Sequence, residues 1–184
     1  MTKFYTGKGD NGTSKIGNFD LSKDHQLFRF LGSLDELNSW FGYCRASLGA
    51  NNKFKTTSDI LKTVQDHLFV CQTEVAAIGG GFEPKFKVEK RHTEYLEKSI
   101  KEFDSKMAPL TKFIIPGASQ LSAMIDVART VARRTESEAK TYSKEKEISS
   151  DILSFLNRFS SLLFAMARFV NHELKIEEEN PNYS

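Results

Sequence analysis

The sequence predicts an all-α protein, a bundle of five helices in one domain, and three observations carry that prediction. Apolar residues recur three and four positions apart through several long stretches, which is the period of one helical face. Proline is scarce, with 4 in 184 residues, and the long periodic stretches contain none, so nothing there breaks a helical ladder. Strand-type alternation is absent at any useful length.

Taken in order, residues 5–18 read Tyr-Thr-Gly-Lys-Gly-Asp-Asn-Gly-Thr-Ser-Lys-Ile-Gly-Asn. Four glycines among small polar residues exclude a regular element there. The first helix is expected from near Ser22 to about Gly49, with Leu27, Phe30, Leu34, Leu37 and Phe41 on one stripe. A polar loop follows over 51–58. The second helix has the cleanest seam, Leu61, Val64, Leu68, Cys71, Val75 and Ile78, at spacings of 3, 4, 3, 4, 3. Gly79-Gly80-Gly81 stops it, because glycine accepts the positive φ of a helix end. A third, amphipathic helix is expected over about 88–103. Phe113-Ile114-Ile115-Pro116-Gly117 is a short extended piece and a turn. Ser119 is placed to cap a fourth helix running to about Tyr142, with Leu121, Ile125, Ala128, Ala132, Thr135 and Ala139 as its seam. The small residues in that seam allow close helix approach. The fifth helix is expected over about 150–174, with Leu156, Phe159, Leu163, Met166 and Val170 inward. The polar tail beyond it, ending in Glu177-Glu178-Glu179 and five more residues, is expected to be solvated and frayed. The whole chain, 1–184, is expected to be one domain: an N-terminal loop over 1–20, the bundle over 22–174 and the tail over 175–184.

Composition narrows the function classes. An apolar fraction of 39% and a charged fraction of 27% describe a soluble folded chain. A formal charge of +2 is too small to imply nucleic acid or acidic lipid, so any positive site must be local. Cys44 and Cys71 lie inside helical patterns without a CxxC partner and are expected to be buried reduced thiols. The start, Met1-Thr2-Lys3-Phe4-Tyr5, lacks the apolar stretch of a signal peptide, and the apolar run 162–170 is short and interrupted by Arg168. A cytoplasmic protein is the expectation.

Several residues are candidates for chemistry. In the N-terminal loop, glycines let backbone N–H groups converge on an anion, Thr6, Thr13 and Ser14 add hydroxyls, Lys8 and Lys15 add charge, and Asp10 is placed to orient the loop or a magnesium ion. There is no GxxxxGK[ST], so the loop is either a phosphate cradle of another kind or a flexible leader. Arg129, Arg133 and Glu136 share one helical face beside the fourth seam, either to hold polyphosphate or as a solvated face with an internal ion pair, while Arg134 points elsewhere. Asp35 lies beside the first seam, either exposed or paired, with Arg129 a candidate partner on another helix. Asn157 flanks the fifth seam and needs hydrogen bonds from the fold or a ligand. Phe113 precedes a turn and is either a core plug or a cofactor contact. His25, His67, His92 and His172 have no metal-ligand spacing, and ExxH pairs on facing helices are lacking.

Six blocks in order give these signals joint weight: YTGKGDNGTS (5–14), FLGSLDELNS (30–39), VQDHLFVCQTEVA (64–76), FIIPGAS (113–119), ARTVARRTE (128–136) and LNRFSSLLFAMAR (156–168). Together they make the chain resemble the PduO-type ATP:cob(I)alamin adenosyltransferases over about residues 3–173. The resemblance implies a ferritin-like five-helix bundle assembled as a homotrimer, with active sites between subunits. It implies transfer of the 5′-deoxyadenosyl group of ATP to the cobalt of cob(I)alamin, giving adenosylcobalamin and tripolyphosphate, with ATP carrying Mg²⁺ and no metal held by protein side chains alone. Carried over, Thr6, Gly7, Gly9, Asp10, Gly12, Thr13 and Ser14 hold the nucleotide and Lys23 reaches the phosphates. Arg133, Glu136 and Asn157 share the ATP site as its catalytic residues, Asp35 and Arg129 form a salt bridge between subunits, and Phe113 sits against the corrin. A reductase and an adenosylcobalamin-dependent acceptor enzyme are the further implied partners, with neither nucleic acid nor membrane. Ala118, Thr135 and Ser161 depart from the family's usual glycine, alanine and aspartate, and Ala118 bears on the path of the turn that carries Phe113.

The implied chemistry suits these residues. Cob(I)alamin is a strong nucleophile and needs no general base, which fits the lack of a catalytic His or Cys. Two other readings compete: an ATP-binding bundle without turnover, and a di-iron bundle, the latter disfavoured by the missing carboxylate–histidine ligands.

Overall fold

The stripes read from the sequence are the stripes that the fold buries. The computed structural model describes residues 4–49 and 51–183. Met1, Thr2, Lys3, Ala50 and Ser184, and with them the outermost parts of the leader and tail, lie outside the described residues. Among the described residues the chain forms α1 (Gln26–Leu48), α2 (Lys55–Gly80), α3 (Lys90–Asp104), α4 (Gln120–Tyr142) and α5 (Ser150–Leu174). Leu27, Phe30, Leu34, Leu37 and Phe41 of α1, Leu61 to Val75 of the α2 seam, and Phe159, Leu163, Met166 and Val170 of α5 are fully buried. Each such side chain contributes roughly 1.5–3 kcal/mol by leaving water. α1 packs on α2 and α4, α4 on α5, and α5 on α3, so the order across the bundle is α2–α1–α4–α5–α3. Ring contacts tie distant members together, with Phe41 of α1 meeting Phe159 of α5 at 5.5 Å between centroids.

α4 sits centrally because its inner face is small. Ala128, Ala132, Thr135 and Ala139 are buried there. The Thr135 hydroxyl lies 3.0 Å from both the Ser33 carbonyl of α1 and the Val131 carbonyl one turn back. Thr135 therefore stitches α4 to α1.

Capping explains most boundaries. Ser119 accepts from the Ser122 N–H at 3.1 Å as predicted, and Gly81 ends α2 in the left-handed region at φ 69°. α1 starts four residues later than expected. Ser22 ends a strand instead, and the His25 imidazole accepts the Leu27 N–H at 3.1 Å and caps the helix. The expected polar loop 51–58 is shorter. Asn51 caps a 3₁₀ turn, Asn52–Phe54, whose Phe54 is buried, and α2 begins at once at Lys55.

Two corrections concern the ends of the chain. The glycine-rich segment does contain a regular element, since β1 (Thr13–Ile16) pairs antiparallel with β2 (Phe19–Ser22) in register Ile16↔Phe19. Gly17, at φ 54°, takes the first position of a two-residue turn that favours glycine. The tail is not a solvated fray. The Ile115 N–H donates to the Glu179 carbonyl at 2.8 Å, and Asn180 Nδ2 donates to the Phe113 carbonyl at 2.8 Å. Glu178 joins Arg168 at 3.2 Å, with side chains only 17% and 15% exposed. An arginine and an asparagine within the apolar fifth helix needed polar partners, and the tail supplies them.

No helix among the described residues is long and apolar enough to cross a membrane. Cys44 and Cys71 are buried and unbridged, as expected.

Where α2, α3 and α5 meet, His67 stands edge-on to His92 at 4.7 Å and to Tyr95 at 5.4 Å. Burial first, then His92, holds the His67 imidazole below its usual value, and Asp66 acts in the opposite sense. The fold thus favours neutral His67. Its contribution is complete above the unfolded value of about 6.5 and is lost as pH falls below that towards the folded value. Melting temperature should therefore drop between pH 7.5 and pH 5 more steeply in the wild type than in His67→Phe, as differential scanning calorimetry would record.

Candidate active site

The geometry of α4 turns its second stripe outward. With Ala128, Ala132 and Thr135 inward, Arg129, Arg133 and Glu136 flank the seam on the adjoining face. Their environments differ. Arg129 is three-quarters buried and its Nε donates to Asp126 Oδ1 at 2.8 Å. Glu136 Oε1 accepts from Asn157 Nδ2 of α5 at 2.7 Å. Asn157 Oδ1 in turn accepts from Arg158 at 2.9 Å, and Arg158 Nε donates to Glu97 of α3 at 2.8 Å. Asn157 is thus exposed on the surface rather than near the interior, held in orientation from both sides. Arg134 leaves this face and pairs with Glu36 of α1.

Arg133 is the exception. Arg129, Arg134, Arg158 and Arg168 each hold a carboxylate. Arg133 is exposed, and among the described residues it has neither an ion pair nor a hydrogen-bonded side chain. The internal Arg–Glu pair considered from sequence is not formed, because Arg129 turns to Asp126 and Glu136 to Asn157.

The nucleotide-loop candidates are gathered by the hairpin. Gly12 lies just ahead of β1, and its carbonyl accepts the Lys23 N–H at 2.9 Å as the chain leaves β2. Lys23 Nζ is then folded over the loop, 3.0 Å from where a Cβ on Gly9 would stand, so the lysine packs closely over the Gly9 backbone. Asp10 and Gly12 close successive turns onto the Gly7 and Gly9 carbonyls at 3.3 and 3.2 Å. The Thr6 hydroxyl accepts the Lys8 N–H at 3.4 Å, and Ser14 pairs with Leu21 in the ladder. Sequence reasoning missed Asn11, whose Oδ1 accepts both the N–H and the hydroxyl of Thr13 at 3.2 and 2.8 Å. An Asn two residues before a Thr in a glycine-rich turn is the available signal. Just past the hairpin, Gln26 Nε2 donates to Glu138 of α4 at 2.5 Å, bringing the loop's base to the Glu136 end of that helix.

Phe113 is 79% exposed, so the core-plug reading fails. It borders a cavity of about 370 Å³ together with Leu110, Ile115, Arg129, Phe164 and Arg168. Glu178, Asp126 and Asn171 line the same cavity, which places an apolar wall and a charged floor together. Asn171 is nearly buried. It accepts from the Ser119 hydroxyl at 2.8 Å and donates to Glu178 at 3.0 Å, linking the α4 cap to the tail. Asp35 does not join this cavity within one chain. It is exposed on α1, and the carboxylate beside Arg129 is Asp126, an i−3 neighbour the sequence reading overlooked. Burial pushes the Cys44 thiol up to about 11 and the Cys71 thiol higher still, so neither is a nucleophile at neutral pH.

A family model described as cobalamin adenosyltransferase matches residues 4–170. A corrinoid adenosyltransferase of Bacillus subtilis is 33% identical over 169 residues, covering 92% of this chain and 86% of that one. A corrinoid adenosyltransferase of Citrobacter freundii is 32% identical over 184 residues, covering 99% and 98%. The fold superposes at a TM-score of 0.88 and 34% identity on a variant PduO-type ATP:corrinoid adenosyltransferase from Lactobacillus reuteri complexed with cobalamin and ATP, over 98% of this chain and 99% of that one.

Replacing Glu178 by Gln removes the charge that faces Arg168 while keeping its shape. A largely buried pair of this kind is expected to cost about 1–3 kcal/mol when broken. Hydrogen-exchange mass spectrometry should then show faster exchange at Ile115 and across residues 176–180, with α1 and α2 unchanged.

Proposed function

The chain belongs to the cobalamin adenosyltransferase family, and we propose that its transfer of the adenosyl group of ATP to the cobalt of a corrinoid runs on Arg133, Glu136, Asn157 and the 6–14 loop. The observation that carries this assignment is Arg133, a cation without a carboxylate on α4 and α5, whose other described arginines each hold one. A guanidinium held ready in that way suits a polyphosphate, which it grips through two parallel hydrogen bonds.

In the reaction the cobalt–C5′ bond forms as the C5′–O bond of ATP breaks, and tripolyphosphate leaves with the bonding electron pair. The protein has no proton to remove from the nucleophile. Its task is alignment, for which orientation alone supplies up to roughly 7–11 kcal/mol, and stabilisation of the departing charge. Arg133, Lys23, the loop N–H groups and the Mg²⁺ that travels with ATP share the second task. Glu136 and Asn157, each fixed by the other at 2.7 Å, orient the nucleotide rather than transfer protons. The attacked atom is carbon, which separates this chemistry from phosphoryl transfer although the binding groups are alike.

The corrinoid lies against Phe113. An apolar ring there keeps water and a lower axial donor away from cobalt, favouring the square-planar Co(I) state. Three copies of the chain assemble, with each site between two of them. Arg129 supports this reading, since its Nε is used by Asp126 and its terminal nitrogens remain for Asp35 of a neighbouring copy. The whole chain acts as one domain in the cytoplasm, where its buried reduced thiols are at home, receiving electrons from a reductase and passing product to an adenosylcobalamin-dependent enzyme.

Anaerobic turnover of MgATP with chemically reduced cob(I)alamin tests the assignment, the expected products being light-sensitive adenosylcobalamin and tripolyphosphate in equal amounts. Phe113→Ala should lose about tenfold more rate from cob(II)alamin plus reductant than from cob(I)alamin, a difference of about 1.4 kcal/mol. Equal losses in the two assays would remove Phe113 from the reduction step.

A further inference from the structure

We propose that the backbone contact between Gly17 and Gly80 is a positioning device: it seats the β1–β2 hairpin on the C-terminal end of α2 and thereby sets where the 6–14 loop and Lys23 meet ATP. The proposal rests on the reading of that loop as the nucleotide loop.

Three features of the contact support it. The Asn18 N–H donates to the Gly80 carbonyl at 3.1 Å. A Cβ on Gly17 would stand 2.4 Å from that carbonyl oxygen, at a φ of 54° that side chains seldom adopt. A Cβ on Gly80 would approach the Gly17 Cα at 3.2 Å and the Phe82 ring at 2.6 Å. Two backbones meet here with no room for a side chain on either. Glycine inside a helix is less favourable than alanine, so its presence in the last turn of α2 calls for a reason on that face, and the hairpin turn is what occupies it.

The seat lies at one end of the ladder and the nucleotide loop at the other. Ile16↔Phe19 closes the turn, and Thr13↔Ser22 closes the base, where Gly12 accepts the Lys23 N–H. The three steps from one end of the paired strand to the other span roughly 10 Å at about 3.3 Å per residue. Over that length a tilt at the turn displaces the loop and Lys23 together. Arg133 and Phe113 lie on other elements and do not move with it.

Anaerobic steady-state kinetics with cob(I)alamin and varied MgATP test the device. Gly17→Ala should raise KM for ATP about tenfold or more, since displacements near 1 Å cost that much in an aligned site, while KM for cob(I)alamin and the far-UV helix signal stay as in the wild type. Gly80→Ala should move ATP KM in the same direction by less and keep its helix content, although alanine is the better helix former. Asn18→Ala, which keeps both glycines and the N–H, should behave as the wild type. Lys23→Ala separates the proposal from the reading beneath it. If Lys23→Ala raises ATP KM and Gly17→Ala does not, the nucleotide loop stands and the positioning role is overturned. If neither moves it, both are overturned. Equal rises in the two KM values, or loss of helix signal in Gly17→Ala, would also overturn it, because Gly17 would then serve the bundle as a whole.

Discussion

The narrow inner face of α4 is the constraint from which the rest follows. Ala128, Ala132, Thr135 and Ala139 are small enough for α1 and α5 to close on the same helix from two sides. Once that face is buried, the 3.6-residue period leaves no freedom for its neighbours. Arg129, Arg133 and Glu136 must stand along the edge of the seam, and Asn157 on α5 must come within 2.7 Å of Glu136. The Thr135 hydroxyl, bonded to the Ser33 carbonyl, fixes the register of α4 on α1 and so the height of that stripe. The α4–α5 part of the candidate site is thus a consequence of core packing, whereas the 6–14 loop and Phe113 are carried on segments outside the helices.

Charge is distributed with similar economy. Exposed pairs such as Arg134–Glu36, with side chains 53% and 45% exposed, contribute little to stability. Arg168–Glu178 is more buried, and it fastens the tail across the segment that carries Phe113. Arg129 stands between these cases, oriented by Asp126 with donors to spare. Among the described arginines of α4 and α5, Arg133 alone holds no carboxylate, and the hairpin mounts Lys23 over a glycine-rich turn on a separate element.

Most of the bundle was legible in the sequence because it is periodic. The seams of α1, α2, α4 and α5, the Ser119 cap and the Gly81 stop all follow from local rules, and each is found where those rules put it. The family resemblance pointed to the same architecture. What stayed hidden depends on pairing or on distant partners. The hairpin strands have four residues each, and glycine and asparagine between them looked like more of the surrounding loop. Glu178 read as one of three solvated acids because nothing local marks it as the partner of Arg168, ten residues back. Asp126 was overlooked although it stands three residues before Arg129, where helical neighbours meet. For Phe113, the statistics of aromatic burial pointed inward, and the observed 79% exposure favours a ligand contact.

Arg133, which holds no carboxylate, is the group proposed to grip the triphosphate of ATP. The most direct measurement is kcat/KM for MgATP in Arg133→Ala, with cob(I)alamin saturating, beside Arg134→Ala as the neighbouring arginine whose charge is already engaged. Arg133→Ala should lose about a hundredfold or more, the scale of removing a charge-assisted contact to a leaving group, with a near-normal value for Arg134→Ala and unchanged melting temperatures in both. An Arg133→Ala enzyme that uses ATP as well as the wild type would contradict that role.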